Sequence, residues 1–329
     1  MKKKTFELDF YGWKIIVEHG ELAKQADGAV LVRYNDTVIL TAAVVSKTVN
    51  LLSDFFPLTV NYQEKLYSVG KIPGGFIKRE GRPSENATLA ARMIDRPMRP
   101  LFPEGFKNEV QIISTVLSVD QDCSPELTAM LASSLAVSIS KIPFNGPIAG
   151  VKVGRVNGEF VINPTPEELE VSDLDLTVAG TKDAINMVES SAKEVPEEVM
   201  LEALMFGHKA VKELIAFEEK IIEEIGEEKM EYETLTIEDE MKERITSLIS
   251  KKMDKALRIK DKLKKYDAID KIKEETVELY RSEYEDKLKE EELEELLVKV
   301  NMVVSNIEYE LFRSIVVKEG IRPDGRKMD

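Results

Sequence analysis

Ile72-Pro-Gly-Gly-Phe76-Ile-Lys78-Arg79-Glu-Gly-Arg82-Pro-Ser84-Glu85-Asn-Ala-Thr-Leu-Ala-Ala-Arg92-Met-Ile-Asp95-Arg96-Pro97-Met-Arg99-Pro-Leu-Phe102 joins a glycine turn to a helix-forming segment. Gly74 and Gly75 let the backbone take positive φ and come close to a ligand. Phe76, Lys78, Arg79 and Arg82 follow, an aromatic face beside cations of the kind that holds stacked bases and phosphates of a single strand. Ser84 reads as the N-cap of a helix with Glu85 in its first turn. Leu89 with Met93 and Ala90 with Ile94 give that helix an apolar face. Arg92 and Arg96, four apart, share another face. Pro97 predicts that the helix ends or kinks at Arg96, so Arg99 need not continue the row. From Phe76 to Lys107 seven cations face four anions, in a chain whose formal net charge is -15. Two readings of the arginines stay open: an anion-binding row, or a solvated face paired with Glu85 and Asp95.

Upstream, residues 5–63 read as strands. Trp13, Ile15 and Val17 alternate, Gly28 to Tyr34 and Thr37 to Ser46 form a hairpin about Asn35-Asp36, and Leu58 to Tyr62 feeds the basic loop. Downstream, Glu109 to Val119 reads as a strand. Asp122-Gln-Cys-Ser-Pro-Glu starts a helix rich in small residues that runs to about Ser140, a core element. Residues 147–191 return to strands, with a hairpin at Asn157-Gly158, and Pro196 opens an amphipathic helix to about Ile225. Strand blocks interrupted by helices indicate an α+β domain over residues 1–230. From Thr236 lysine and glutamate dominate; Thr236 and Asp239 suggest a capping box, and helical periods extend to about Val317. A small all-helical domain over 236–312 is expected, its run Glu290-Glu-Glu-Leu-Glu-Glu a solvated face.

Three runs carry a resemblance: Phe56-Pro-Leu-Thr-Val-Asn-Tyr-Gln-Glu-Lys-Leu-Tyr67, Gly70 through Glu85, and Asp95-Arg-Pro-Met-Arg-Pro-Leu-Phe102. Together with Glu319-Gly-Ile-Arg-Pro-Asp-Gly-Arg326 they make the chain similar to the bacterial polynucleotide phosphorylase family, within the RNase PH superfamily. The resemblance implies a ribosomal-protein-like β-α-β core as in RNase PH, then the helical linker. Residues 313–329 would open a second such core, so the chain is expected to be the N-terminal piece of a longer protein. The implied activity of the whole is phosphorolytic 3′-to-5′ exoribonuclease action on single-stranded RNA, releasing nucleoside diphosphates and running in reverse as a polymerase. Inorganic phosphate is the implied co-substrate and Mg²⁺ the implied cofactor, with ligands outside this chain. A homotrimeric ring and contact with RNA-degradosome proteins are the implied assemblies.

Residue by residue, Phe76, Lys78, Arg79 and Arg82 match the loop that grips RNA, and Ile77 stands where many relatives carry a second aromatic. Arg92, Arg96 and Arg99 resemble a set facing the channel or the adjacent active site. The segment Asp173-Leu-Asp-Leu-Thr-Val-Ala-Gly resembles the strand that carries two aspartates and a lysine in the second core. Asp175 falls on the second aspartate, but Leu169 and Thr177 replace the other two groups. The site is therefore expected to be degenerate, with no catalytic and no metal-binding residue in this chain. A stand-alone, non-catalytic RNA-binding or scaffold protein is the alternative; an active single-core nuclease is disfavoured by Leu169 and Thr177.

Composition bounds these readings. With 329 residues, 43% hydrophobic and 33% charged, the chain describes two or more globular domains. Met-Lys-Lys-Lys is basic, but no apolar segment follows it, and no run reaches transmembrane length. One cysteine, Cys123, excludes an internal disulfide and suits a cytoplasmic location. His19 and His208 lie too far apart in sequence to suggest a local metal site. The acidic balance confines any nucleic-acid contact to a local surface.

Overall fold

The computed structural model describes residues 3–53, 55–322 and 324–328. Met1 and Lys2 of the basic start, and Pro323 and Asp329 of the stretch read as opening a second core, lie outside the described residues. The chain forms two compact units that part between Glu233 and Thr234.

The first unit begins with four antiparallel strands, β1 (Lys4–Phe10), β2 (Trp13–His19), β3 (Gly28–Tyr34) and β4 (Thr37–Val49). Asn35, at φ 49°, supplies the left-handed residue of the β3–β4 turn. Then comes a β-α-β crossover: β5 (Leu58–Glu64), α1 (Glu85–Met98) and β6 (Asn108–Ser118), with β5 and β6 paired in parallel. The sheet order is β1-β2-β3-β4-β6-β5. After α2 (Pro125–Ile139) a second, antiparallel sheet is built from β7 (Ala149–Val156), β8 (Glu159–Ile162), β9 (Leu174–Gly180) and β10 (Ile185–Ala192), in the order β10-β9-β7-β8. The short α3 (Pro166–Val171) precedes β9, and α4 (Glu197–Ile225) covers this sheet with Ala203, Ala210 and Leu214 buried.

α2 packs on both sheets, and every residue from Leu127 to Ile139 is buried. Its small side chains permit this. A Cβ on Gly28 would overlap the Ala136 carbonyl oxygen, and one on Gly150 would lie 2.6 Å from Met130 Sδ. The hydroxyls that small residues bring inside are mostly satisfied: Thr41, Ser114 and Ser133 form a chain at 2.8 and 3.1 Å, and the Ile148 amide donates to Ser134 at 2.9 Å. At the far end, the Lys229 ammonium donates to the carbonyls of Ser138 (2.7 Å) and Ser140 (2.6 Å), occupying acceptors at the helix C-terminus. Beside it the Glu227 amide donates to Ile139 and the Met230 amide to Lys141.

Two local expectations are corrected. α1 does not stop at Arg96 but runs through Pro97 to Met98. So close to the end of the helix the proline forfeits a single bond, and the Arg99 amide still closes on the Asp95 carbonyl. The capping box at Thr236 does not form, because the next helix begins at Asp239 with Glu238 at its N-cap and no side-chain cap bond.

The second unit holds α5 (Asp239–Leu257), α6 (Lys262–Tyr284) and α7 (Glu290–Glu319), packed about Ile245, Met253, Ile269, Tyr280, Val300 and Val304. α7 is continuous past residue 312 to Glu319, where Gly320 takes the left-handed cap at φ 62°.

Glu218 on α4 is fully buried, beside the Ser134 hydroxyl but with no hydrogen-bond partner for either carboxyl oxygen among the described residues. Burial raises its carboxyl well above the ordinary value of 4.5. The folded chain therefore holds this proton more tightly than the unfolded chain. The stabilising effect is complete below the unfolded value and is lost as pH rises through the folded one. Glu218→Gln, which cannot titrate, is expected to flatten the fall in melting temperature between about pH 5 and pH 8; an unchanged slope in thermal melts across that range would refute the assignment.

Candidate functional site

The loop between β5 and α1 is pinned at its base and open at its tip. Glu80 accepts from the Leu66 amide at 2.9 Å and pairs with Lys65 at 3.1 Å. Those contacts, the amide bond foremost, hold its carboxyl below the usual range. Ser84 caps α1 by accepting from the Ala87 amide, and its hydroxyl donates to Glu64 at the end of β5. Between these anchors Gly75 and Lys78 adopt positive φ, 77° and 50°. Phe76 is fully solvent-exposed, so the aromatic does not anchor the tip as its type would suggest; it stands out from the surface. Lys78, Arg79 and Arg82 are exposed too, and none makes an ion pair with the described residues.

Past the loop, α1 forms one wall of a cleft of about 1050 Å³ lined by Arg92, Arg96 and Arg99 together with Lys152 of β7, Thr177 of β9 and Glu189 of β10. Because α1 continues through Pro97, all three arginines reach this space. Their chemistry differs. Arg92 is exposed and has no ion-pair partner among the described residues. Arg96 pairs at 2.7 Å with Glu189, not with Glu85 as the solvated-face reading would have it. Arg99 is a brace: its guanidinium grips both oxygens of Asp95 at 2.7 and 2.6 Å and donates to the carbonyls of Phe56 (3.0 Å) and Leu58 (3.1 Å). The bond to Asp95, ahead of its charge, raises the Arg99 pKa. A second tie, Asn186 Nδ2 donating to the Pro97 carbonyl at 2.9 Å, fastens the end of α1 to β10.

The strand expected from the sequence to carry a degenerate site is β9. Asp175 lies on it, Thr177 is buried on it, and Leu169 lies not on the strand but on α3. Thr177 is in register with Lys152 on β7, and Lys152 pairs with Asp175 at 3.2 Å. An ammonium thus enters from the neighbouring strand, a placement that spacing along one strand does not reveal. The donor set does not fit a Mg²⁺ ion: Asp175 is already neutralised, and among the described residues no three His, Cys, Asp or Glu come together as a metal site. Among the described residues, neither histidine nor the cysteine is set as a nucleophile–base pair. His19 and His208 each bond a backbone carbonyl, those of Ala29 and Thr181, and burial pushes the Cys123 thiol up to about 12. What the cleft and loop offer is anion binding beside an aromatic face.

Residues 13–143 match the 3′ exoribonuclease family, domain 1, and residues 146–210 its domain 2. Residues 240–327 match the domain described as polyribonucleotide nucleotidyltransferase, RNA binding domain. Over 328 residues the sequence is 55% identical to polyribonucleotide nucleotidyltransferases of Bacillus cereus strain G9842 and of Bacillus anthracis strain CDC 684 / NRRL 3495. The chain belongs to the polyribonucleotide nucleotidyltransferase family. All of it is covered in those alignments, yet it spans only 45% of each relative, the N-terminal part. A solved structure of rice Rrp46 aligns with 67% of this chain and 94% of its own at 13% identity, with a TM-score of 0.49.

The two matches to the 3′ exoribonuclease family identify the RNase PH-like α+β fold in the first unit. Domain 1 holds most of the six-stranded sheet with α1 and α2; domain 2 holds the second sheet and the first half of α4. The Arg96–Glu189 pair and the Asn186–Pro97 bond both cross from one to the other. Arg99→Lys keeps the charge but loses the planar fork, and is expected to destabilise the first unit by about 1–2 kcal/mol; a melting temperature equal to that of the parent chain would argue against the brace.

Proposed function

We propose that this chain is the RNA-gripping and ring-forming part of a phosphorolytic 3′-to-5′ exoribonuclease acting on single-stranded RNA. In that reaction an oxygen of inorganic phosphate attacks the phosphorus of the last internucleotide linkage, the bond to the 3′ oxygen breaks, and a nucleoside diphosphate leaves; the reverse reaction extends the chain. The membership of the family supports the reaction class. The observation that carries the grip is the loop, with an exposed Phe76 beside Lys78, Arg79 and Arg82, none of them ion-paired among the described residues. Arg92 and Arg96 extend the cationic surface into the cleft, and Arg99 serves by holding α1 in place.

Mg²⁺ and the phosphate-holding groups belong, in this proposal, to parts of the protein beyond this chain, since Asp175 is paired and stands alone. The assembly is a homotrimeric ring that brings several loops together, working in the cytoplasm with RNA-degradosome proteins. No helix among the described residues is long and apolar enough to cross a membrane.

The chain alone is expected to release no nucleoside diphosphate from single-stranded RNA with Mg²⁺ and phosphate; release above a mock purification would show a working site within it. For the grip, three phosphate contacts predict a salt slope of about −2 in the logarithm of the association constant against log salt. Arg79→Ala with Arg82→Ala should lower its magnitude by about 1.4 and weaken all sequences alike. Phe76→Ala should cost about 1–3 kcal/mol with the slope retained. Fluorescence anisotropy across a salt series reads both effects, and unchanged affinity and slope in the double variant would remove the loop from the interface.

A further inference from the structure

The helical unit has one side that its own helices leave open. α5 lies against both α6 and α7 and covers one side of that pair. On the other side two clefts, of about 750 and 850 Å³, follow one another along α6 and α7, and Lys273 lines both. Apart from Leu257 at the end of α5, no residue of α5 lines them. Tyr266 shares the first cleft with Phe312, Lys273 bonds Glu308 at 2.8 Å, and Arg281 shares the second cleft with Asn301. The two helices therefore run antiparallel along a single groove. From Lys262 to Arg281 it follows about 28 Å of α6, at 1.5 Å per residue.

The groove is apolar where an exposed helix face should be polar. Tyr266 and Tyr309 are exposed at 51% and 56%, and Leu279 at 43%. The core of the unit does not use them; it is made by Ile269, Ile272 and Tyr280 of α6 with Val300 and Val304 of α7. The charge is uneven along the groove. At the Tyr266 end the carboxylates of Glu308 and Asp324 are neutralised by Lys273 and Arg326. Lys260 and Lys262 have no ion-pair partner there among the described residues, and the Lys262 ammonium lies 6.0 Å from the Tyr266 ring centre. At the Leu279 end the sign reverses: Glu274 has no ion-pair partner among the described residues, and Glu278 meets Arg281 only at 3.7 Å.

We propose that this groove docks an amphipathic helix of a partner protein, acidic at the end that meets Lys260 and Lys262 and basic at the end that meets Glu274 and Glu278. A fourth helix laid there would cover the open side of the α6–α7 pair and complete a four-helix bundle, its apolar residues at i, i+3, i+4 and i+7 set against Tyr266, Tyr309 and Leu279. A polyanion fits less well, because half of the groove presents carboxylates. The charge pattern sets where along the groove the helix sits, and the apolar stripe supplies the affinity. This surface is independent of the loop of the first unit.

The test uses this chain and a fluorescein-labelled peptide of about 20 residues with leucines at that helical spacing. Glutamate fills the other positions of its first half and lysine those of its second; a control of the same composition has the leucines scattered. The striped peptide is expected to bind saturably in anisotropy and to gain helical circular dichroism, and the control to do neither. Tyr309→Glu and Leu279→Glu, both at exposed positions, should each weaken binding at least tenfold with the helix content of the chain unchanged. Leu248→Glu, an exposed apolar position on α5 outside the groove, should bind like the parent. Lys260→Ala with Lys262→Ala should weaken binding about fivefold at low salt, and less as salt rises. No saturable binding of the striped peptide, equal binding of the control, or parent-like binding by both groove variants overturns the proposal. Displacement of the peptide by unlabelled oligouridylate as readily as by unlabelled peptide also overturns it, and makes the groove a nucleic-acid surface instead. None of these outcomes alters the salt-slope test of the loop at Phe76.

Discussion

The first unit depends on how closely two sheets can approach one helix. α2 is covered on nearly all sides, which a helix of large side chains would prevent. Gly28 admits the Ala136 carbonyl on one side, and Gly150 admits Met130 on the other. Close packing at this spacing leaves little room for adjustment, because an added methyl group must displace backbone or a buried sulfur. The hydroxyls of Ser114, Ser133 and Ser134 are the chemical cost of small residues in a core, and each is met by another hydroxyl or an amide.

From that core the site follows by connection. The β5-α1-β6 crossover lays α1 beside β5, and Arg99 and Asn186 fix the end of α1 to β5 and β10. The cleft arginines are thereby held on a rigid element, whereas the loop cations stand on a segment fixed only at its base. This division suits the proposed grip, in which the loop would admit an RNA strand and the cleft would orient it.

Much of the fold was legible because its signals are local. Alternation at Trp13, Ile15 and Val17, the left-handed turn at Asn35 and the Pro125 helix start each depend on neighbouring residues, and each produced an element close to its expected bounds. The pairing of Lys152 with Asp175 was not legible, since it depends on the register between β7 and β9 set by distant turns. Pro97 misled because its rule concerns helix interiors, and near the end of α1 the lost bond is a small one. The cation–aromatic cleft of the helical unit was hidden in a composition that reads as a solvated surface; only the burial of alternative faces on α6 and α7 separates exposed rings from core rings. The site residues on the loop were named by aromatic and cation types and by resemblance, and the structure adds that their ends are unengaged.

Lys229 gives the first unit a mechanical property. Its ammonium, with the amides of Glu227 and Met230, fastens the chain just before the helical unit to the C-terminal end of the most buried helix. A tug arriving along the backbone from residue 234 onward therefore meets these polar links at α2 before it reaches α4. The exit of the chain is thus anchored to the core of the first unit in the manner of a strain relief.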